Sequence, residues 1–243
     1  MSLFIVSLPI GNPEDITLRA ISVIKEADFI ICEEFKNGRI ILKSLNIEKD
    51  LYCLNEHNEQ SESDPIIQKL LHGQKAALFS DCGTPLFADP GTHLVNRCVE
   101  LGIRVVPVPG ASSILAALVV AGIPIKQFYF AGFLSRKSDE RKKEISTLAQ
   151  FTCPIIIYDT PYRLKALLSD LQTELSPTRQ IIIAFSLTQP QEKVVRGSIA
   201  EISKELGNKP PKQEFVLILC PLQSKKKSKK YVNKQGRGRR SKG

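Results

Sequence analysis

The stretch Ala77-Leu78-Phe79-Ser80-Asp81-Cys82-Gly83-Thr84-Pro85-Leu86-Phe87-Ala88-Asp89-Pro90-Gly91 begins as a short apolar run and continues into two proline-containing turns. This order is typical of a buried strand that ends in a loop, and such loops carry functional residues more often than cores do. Gly83 lets the backbone approach a ligand closely, Pro85 and Pro90 stiffen the loop, and Asp81 offers a fixed hydrogen-bond acceptor. A surface loop with a helix-capping aspartate is the alternative interpretation of the same residues.

Short, continuously apolar strands alternate with amphipathic helices on both sides of this stretch. Such strands predict a parallel sheet covered on both faces, and ligands of such sheets lie outside the carboxyl ends of the strands. In the second half, the strands predicted at 181–185 and 193–196 have no helix between them, which predicts a mixed sheet. We therefore predict two α/β domains, residues 1–112 with a parallel sheet flanked by helices and residues 113–222 with a mixed sheet and helices.

One helix start is predicted from a local capping signal. Asp64-Pro65 follows a polar segment over 55–63 and precedes the apolar pair Leu70-Leu71, with Gly73 beyond it. An aspartate cap followed by a first-turn proline predicts a helix that begins at Asp64 and Pro65.

The net charge of +9 is concentrated at one end of the chain. Ten Lys and Arg residues lie between Lys225 and Lys242 without any Asp or Glu, so residues 1–224 carry ten charges fewer and sum to −1. We predict that residues 223–243 form a disordered basic tail. Such a tail favours a polyanionic partner, and a nucleic acid fits better than an anionic membrane because no lipidation site or amphipathic helix accompanies it.

Several classes of protein are disfavoured by what the sequence lacks. It has no dinucleotide-binding or P-loop glycine motif, no zinc-protease motif and no serine-hydrolase elbow, and its three histidines have no metal-ligand spacing. Six scattered cysteines without a C-x-x-C pair, and the lack of a signal peptide or membrane-spanning run, predict a cytoplasmic protein without a metal or a membrane. The small-residue turns suit a neutral-to-cationic small molecule, and a sulfonium cofactor and a nucleoside both remain possible.

Several motifs, in their order along the chain, resemble the tetrapyrrole (corrin/porphyrin) methylase superfamily over roughly residues 3–220. They are Pro9-Ile10-Gly11-Asn12-Pro13-Glu14-Asp15, Ser80-Asp81-Cys82-Gly83-Thr84-Pro85, Asp89-Pro90-Gly91, Val108-Pro109-Gly110-Ala111-Ser112-Ser113 and Gly132-Phe133-Leu134-Ser135-Arg136-Lys137. Within this superfamily the chain is most similar to the branch that methylates the ribose 2′ oxygen of a cytidine in small-subunit ribosomal RNA. The resemblance implies S-adenosylmethionine in a cleft between two α/β domains, ribosomal RNA or the small ribosomal subunit as partner, and a homodimer.

The resemblance also implies roles for individual residues. The cofactor would contact Leu8, Pro9, Ser80, Asp81, Gly83, Thr84, Pro85, Leu86, Ser112, Ser113, Tyr158, Phe185 and Ser186. A shaping role in a turn for Pro9 and a helix cap for Ser112 are the alternatives. Glu33 is the predicted general base, with Glu34 and Asp159 as competitors. RNA phosphates would contact Arg136, Lys137, Arg141, Arg163, Lys225, Lys226, Lys227, Arg237, Arg239 and Arg240, with a solvated helix face as the alternative for Arg141.

The chain departs from the ribosomal branch at two motifs. That branch has Ala-Glu-Asp-Thr-Arg where this chain has Ile31-Cys32-Glu33-Glu34-Phe35-Lys36-Asn37, and Arg-Glu-Leu-Thr-Lys where it has Phe185-Ser186-Leu187-Thr188-Gln189. Replacing Arg by Phe removes a bidentate anion clamp, which affects RNA specificity more than cofactor binding. The sequence leaves three readings: an RNA methyltransferase, a methylase of a tetrapyrrole precursor, and an RNA- or ribosome-binding paralogue that has lost catalysis.

Overall fold

A computed structural model describes residues 1–222; the tail predicted to be disordered lies outside the described residues. The first lobe contains a five-stranded parallel sheet in the order β3-β2-β4-β1-β5. Its strands are β1 Ser2–Val6, β2 Phe29–Cys32, β3 Asp50–Cys53, β4 Lys75–Leu78 and β5 Arg104–Val108. The helices between them are a 3-10 turn Pro13–Asp15, α1 Leu18–Glu26, α2 Phe35–Ser44, α3 Glu59–Leu71 and α4 Thr92–Glu100.

Continuous apolar strands produce this arrangement because both faces of the sheet are covered. All four residues of β2 are buried, and neighbouring residues belong to different cores: Ile31 faces the core under α3 and α4, and Ile30 faces the core under α1 and α2. The predicted parallel sheet flanked by helices is confirmed.

The second lobe contains a mixed five-stranded sheet in the order β6-β7-β10-β8-β9, which confirms the second sheet prediction. β6 and β7 are parallel, whereas β10 is antiparallel to β7 and β8, and β8 is antiparallel to β9. The elements are α5 Ser113–Ala121, β6 Tyr129–Phe133, α6 Ser138–Leu148, β7 Ile155–Asp159, α7 Leu164–Glu174, β8 Gln180–Phe185, β9 Lys193–Ser198, α8 Ile199–Leu206 and β10 Phe215–Leu219. Helix α5 packs on this sheet, with Ile114 and Leu118 in one core with Ile156, Ile182 and Val216. The boundary at 112/113 stays a prediction.

The predicted start of α3 at Asp64 and Pro65 is wrong. The helix begins at Glu59, and Pro65 lies inside it. The reason is a contact between distant segments: one carboxylate oxygen of Glu59 accepts hydrogen bonds from the backbone N–H of Gly91 (2.9 Å) and of His93 (2.7 Å). This contact fixes the first turn of α3 against the start of α4, and a local capping signal cannot report it.

A buried ion pair joins α6 to α7. The Nε of Arg141 donates a hydrogen bond to Oδ2 of Asp170 (2.7 Å), and Nη2 of Arg141 lies 2.6 Å from the same oxygen. Both side chains are almost fully buried. Arg141 also donates to the carbonyl of Ser135 (2.9 Å), so it holds the chain that follows β6. Arg141 is therefore neither a phosphate contact nor part of a solvated helix face, because its charge is used inside the second lobe.

We expect Asp170→Ala to destabilise the protein by about 3–5 kcal/mol, because it leaves the Arg141 guanidinium buried without its carboxylate. Chemical denaturation monitored by circular dichroism measures this loss. Lys193→Ala is the matched control, since it removes an exposed ion pair to Glu205 (2.9 Å) and should leave stability nearly unchanged. Equal effects of the two substitutions would contradict the assignment.

Candidate active site at the cleft between the lobes

The carboxyl ends of β1, β4 and β5 are tied together by hydrogen bonds. Leu8 and Gly83 exchange two backbone bonds, of 2.8 Å from the Leu8 N–H and 3.1 Å from the Gly83 N–H. The Thr84 hydroxyl donates to the Ala111 carbonyl (3.0 Å) and accepts from the Ser7 hydroxyl (3.2 Å). Three loops that are far apart in sequence are therefore held at one place.

Two glycines are required at this junction for different reasons. Gly83 has φ of +72°, which disfavours other residues, and a Cβ there would lie 3.2 Å from the Ile10 side chain. Gly110 lies so close to β1 that a Cβ on it would be 3.0 Å from the Cβ of Ser7. The turn after β5 can therefore lie directly against the end of β1.

A cavity of about 260 Å³ opens between these loops and the end of the second sheet, somewhat below the range of about 300–1,000 Å³ common for small-molecule sites. Its lining is mainly apolar, with a few hydroxyls and carboxylates. The first lobe and its loops contribute Ile10, Cys82, Gly83, Thr84, Phe87, Ala88 and Asp89. The remaining lining residues are Ser112, Ser113, Ile114, Phe133, Tyr158, Asp159, Ala184, Ser186, Leu187, Gln189, Glu214, Phe215 and Val216.

Six residues predicted to bind a cofactor line this cavity: Gly83, Thr84, Ser112, Ser113, Tyr158 and Ser186. Ser112 occupies the position before α5, but its side chain makes no capping hydrogen bond, so the helix-cap alternative is not realised. The Ser113 and Tyr158 hydroxyls lie 2.5 Å apart, which joins the start of α5 to the end of β7. Burial raises the pKa of Tyr158, so its phenol stays protonated at neutral pH.

Seven other predicted cofactor residues do not line the cavity: Leu8, Pro9, Ser80, Asp81, Pro85, Leu86 and Phe185. Leu8 contributes the backbone bridge to Gly83, and Asp81 is exposed and accepts a hydrogen bond from the Asn37 amide (2.6 Å). Phe185 is buried in the core of the second lobe, 6.0 Å from the ring of Phe215. Successive strand residues face opposite sides of a sheet, so Ala184 lines the cavity and Phe185 points away from it.

The predicted base, Glu33, lies beside the cavity rather than in its wall. It borders a small adjoining pocket together with Ser80 and Asp89, and Asp89 also lines the main cavity. Burial, followed by the charges of Asp81 and Asp89, raises the pKa of Glu33 above its ordinary value. Burial likewise raises the pKa of Asp89. Asp89 belongs to the Asp89-Pro90-Gly91 motif, but the sequence predicted no role for it.

The predicted RNA contacts fall into three groups. Arg136 and Lys137 are exposed on the segment that follows β6. Arg163 is instead used internally, because its guanidinium pairs with Asp159 (3.1 Å) and donates to the carbonyls of Leu134 (2.8 Å) and Ser135 (2.9 Å). The structure therefore gives Arg163 a structural role in place of the predicted phosphate contact. Lys225, Lys226, Lys227, Arg237, Arg239 and Arg240 lie outside the described residues.

Asp159 has an unusual environment. Its side chain is fully buried, one oxygen pairs with Arg163, and the other, Oδ2, has no hydrogen-bond partner among residues 1–222. Burial raises the pKa of Asp159, partly opposed by the Thr160 amide and Arg163. Asp159 lines the cavity as Asp89 does, and its ion pair with Arg163 makes it a weaker proton acceptor than an unpaired carboxylate.

Residues 1–222 contain no group of three or more His, Cys, Asp or Glu side chains that could hold a metal ion. None of the helices in this part of the chain is both long enough and apolar enough to cross a bilayer.

Comparison with known proteins agrees with this architecture. The family model for Tetrapyrrole (Corrin/Porphyrin) Methylases matches residues 2–203. The chain belongs to this family.

Curated relatives of this family member carry the name ribosomal RNA small subunit methyltransferase I. The protein from Neisseria meningitidis serogroup A is 40% identical over 228 residues, covering 93% of this chain and 78% of the relative. The one from Pasteurella multocida is 38% identical over 219 residues, covering 89% and 78%. The one from Escherichia coli O157:H7 is 39% identical over 220 residues, covering 89% and 77%.

Solved structures of the same fold are more distant in sequence. Diphthine synthase has a TM-score of 0.72 at 14% identity, covering 91% of this chain and 90% of that chain. Uroporphyrin-III-C-methyltransferase from Thermus thermophilus has a TM-score of 0.62 at 18% identity, covering 90% and 94%. At this identity the likeness shows the fold, two α/β domains of the tetrapyrrole methylase type, and nothing finer.

Methyltransferases of this family use S-adenosylmethionine as methyl donor, and this chain is an S-adenosylmethionine-dependent methyltransferase. The cavity fits such a group, because its apolar lining suits a nucleoside and methionine chain and its hydroxyls supply oriented polar contacts. Asp89 and Glu214 in the lining bring negative charge toward a sulfonium.

We expect Gly83→Ala to weaken binding of S-adenosylhomocysteine at least tenfold, because a Cβ at φ of +72° strains the loop and approaches Ile10. Isothermal titration calorimetry measures the affinity. Gly102→Ala is the matched control: Gly102 has φ of +67°, nothing lies within 4 Å of its Cβ position, and it lies outside the cavity lining. The control should lose similar backbone stability and keep its affinity, and equal affinities of the two variants would contradict the role of Gly83.

Proposed function

We propose that this methyltransferase acts on the ribose 2′ oxygen of a cytidine in small-subunit ribosomal RNA. The observation that carries the proposal is the 38–40% identity to proteins named ribosomal RNA small subunit methyltransferase I across about nine tenths of the chain. The ten positive charges after residue 224 favour a polyanionic acceptor, and RNA is one.

The chain's own groups would mainly position the reactants. S-adenosylmethionine supplies an electrophilic methyl group when bound. We propose that the loops after β1, β4 and β5, fixed by the Leu8–Gly83 bridge and Thr84, hold the adenosyl and methionine parts together with Ser112 and Tyr158. Alignment of the acceptor oxygen and exclusion of water then supply most of the acceleration. A carboxylate that removes the hydroxyl proton adds a further factor.

Two carboxylates compete for the role of base. Glu33 is the base predicted from the sequence because it follows a strand end, and its raised pKa makes it a better proton acceptor than an ordinary glutamate. Asp89 has the more direct position because it lines the cavity. We propose Glu33, which lies beside Asp89 next to the cavity.

We also propose a cytoplasmic homodimer. The family resemblance implies the dimer, and the exposed apolar side chains of Leu115 and Val119 on α5 support it. The six free cysteines support a reducing compartment. Sedimentation velocity at micromolar concentration would distinguish a dimer from a monomer.

Incubation with S-adenosylmethionine labelled at the methyl group should label small ribosomal subunits or their deproteinised RNA. Nuclease digestion followed by mass spectrometry is expected to identify 2′-O-methylcytidine. Labelling of a uroporphyrinogen alone would select the tetrapyrrole reading. Retention of RNA that weakens with salt, without any labelling, would select the non-catalytic paralogue.

Glu33→Gln is expected to lower the rate of methyl transfer about 100-fold or more, the usual contribution of a general base. It should also raise the melting temperature at pH 8. The folded protein binds the Glu33 proton more tightly than the unfolded chain does, so ionisation costs stability as pH rises through the raised pKa. The difference in melting temperature should disappear below the ordinary pKa of about 4.5.

Exposed Glu34 provides the matched control, because Glu34→Gln removes an adjacent carboxylate and should retain activity. Asp89→Asn tests the competing base. Full activity of Glu33→Gln together with a large loss in Asp89→Asn would move the role to Asp89.

A further inference from the structure

Three aromatic side chains with large exposed surfaces lie at the mouth of the cleft or beside it. Phe87 is 56% exposed, Phe133 is 52% exposed and Tyr162 is 81% exposed. Phe87 and Phe133 line the cavity, the first from the first lobe and the second from the end of β6. We refer to Phe87, Phe133 and Tyr162 as the aromatic rim. Packing of the fold does not explain such exposure of three rings in one region.

The two rim residues in the cavity wall rest on half-buried aromatic neighbours, Phe130 and Tyr158. Phe87 packs edge-on against Phe130, with ring centroids 6.1 Å apart, and Phe133 packs edge-on against Tyr158 at 5.7 Å. Phe130 and Tyr158 contact one another at 5.0 Å. Both exposed rings are thus supported by the same inner pair, which limits their motion and leaves part of each ring free for a ligand.

Tyr162 is held next to this site by Arg163. The Arg163 guanidinium donates to the carbonyls of Leu134 and Ser135, so the loop after β7 is fixed to the segment that directly follows Phe133. The ammonium of Lys212 lies 5.8 Å from the centre of the Tyr162 ring. Exposed Arg136 belongs to the same segment as Leu134. Cations therefore lie close to the aromatic rim on its second-lobe side, Lys212 beside Tyr162 and Arg136 on the segment that follows Phe133.

We propose that the aromatic rim stacks unpaired bases of the acceptor RNA, with the target base on Phe87 and Phe133 and a neighbouring base on Tyr162. This inference rests on the proposed function and specifies the form of its substrate: a single-stranded or extruded nucleotide. A ribose inside a duplex is held by its stacked and paired base, whereas a cleft between two lobes admits a nucleotide that has left the stack. Aromatic rings suit this task because every base presents a π-face, and adjacent cations contact the phosphates.

Fluorescence anisotropy with the full chain and a 5′-labelled, 12-nucleotide single-stranded oligocytidylate tests the inference. Phe87→Leu, Phe133→Leu and Tyr162→Leu should each weaken binding about fivefold or more, the usual effect of losing one stacked base. The factor should be the same at low and at moderate salt, because the rings carry no charge. Lys212→Ala should instead reduce the salt dependence.

Three controls make the result decisive. Phe133→Tyr keeps a ring and should retain wild-type affinity, and Phe128→Leu alters an exposed ring near the opposite end of β6 and should have no effect. The oligocytidylate annealed to its complement should bind more weakly and equally to wild type and rim variants. The inference is overturned if the affinity losses of the leucine variants vanish at moderate salt. It is also overturned if wild-type protein binds the duplex as tightly as the single strand.

Failure of the inference can be told apart from failure of the proposed function. If wild-type protein methylates small ribosomal subunits while the leucine variants bind oligocytidylate normally, the rim assignment is wrong and the function stands. If the rim variants lose binding but wild-type protein labels no RNA, the stacking surface stands and the methyl-transfer proposal fails.

Discussion

The paired backbone hydrogen bonds between Leu8 and Gly83 are the contact on which the site depends. They join the ends of β1 and β4, and Thr84 extends the junction to the turn after β5. Each loop alone would be a mobile surface segment, because its backbone groups have no strand partner there. Joined together, the loops form one rigid wall, and a wall of backbone and small residues is what leaves space for a ligand against the second lobe.

The segment after β8 joins the two lobes, and it begins in one of the two motifs where the sequence departs from the pattern of the ribosomal branch. The Thr188 hydroxyl accepts a hydrogen bond from the Asn12 N–H (3.0 Å), and Ser186, Leu187 and Gln189 line the cavity. Ser186 and Thr188 adopt positive φ values of 47° and 65°, and the Glu192 carboxylate holds the Thr188 N–H (2.7 Å). Gly11 accommodates this contact, since a Cβ there would be 2.6 Å from Gln189 Cγ. Of the three positions that lack the charges of the family motif, Ser186 and Gln189 lie in the cavity wall and Phe185 lies in the core.

Three carboxylates surround the cleft, and their burial has a consequence for charge. Burial raises the pKa of Glu33, Asp89 and Glu214, so ionised carboxylates there are held at a cost. Exposed cations near the second-lobe side of the cleft include Arg136 and Lys212, and ten more positive charges follow residue 224 in the sequence. The cleft itself therefore suits a cation and a neutral reacting group.

The sequence alone determined the two α/β lobes and their parallel and mixed sheets. It also predicted that the loops containing Gly83 and Ser112 would line the ligand cavity. These features depend on local periodicity, strand ends and motif order, which neighbouring residues record. Tertiary structure decided which side chains reach the cavity. It placed Phe185 in the core, because successive strand residues face opposite sides of a sheet. It paired Arg141 and Arg163 with carboxylates of the second lobe. It also set the start of α3 at Glu59, which contacts the start of α4. Each outcome depends on a partner far away in the chain, and a local pattern carries no record of such a partner.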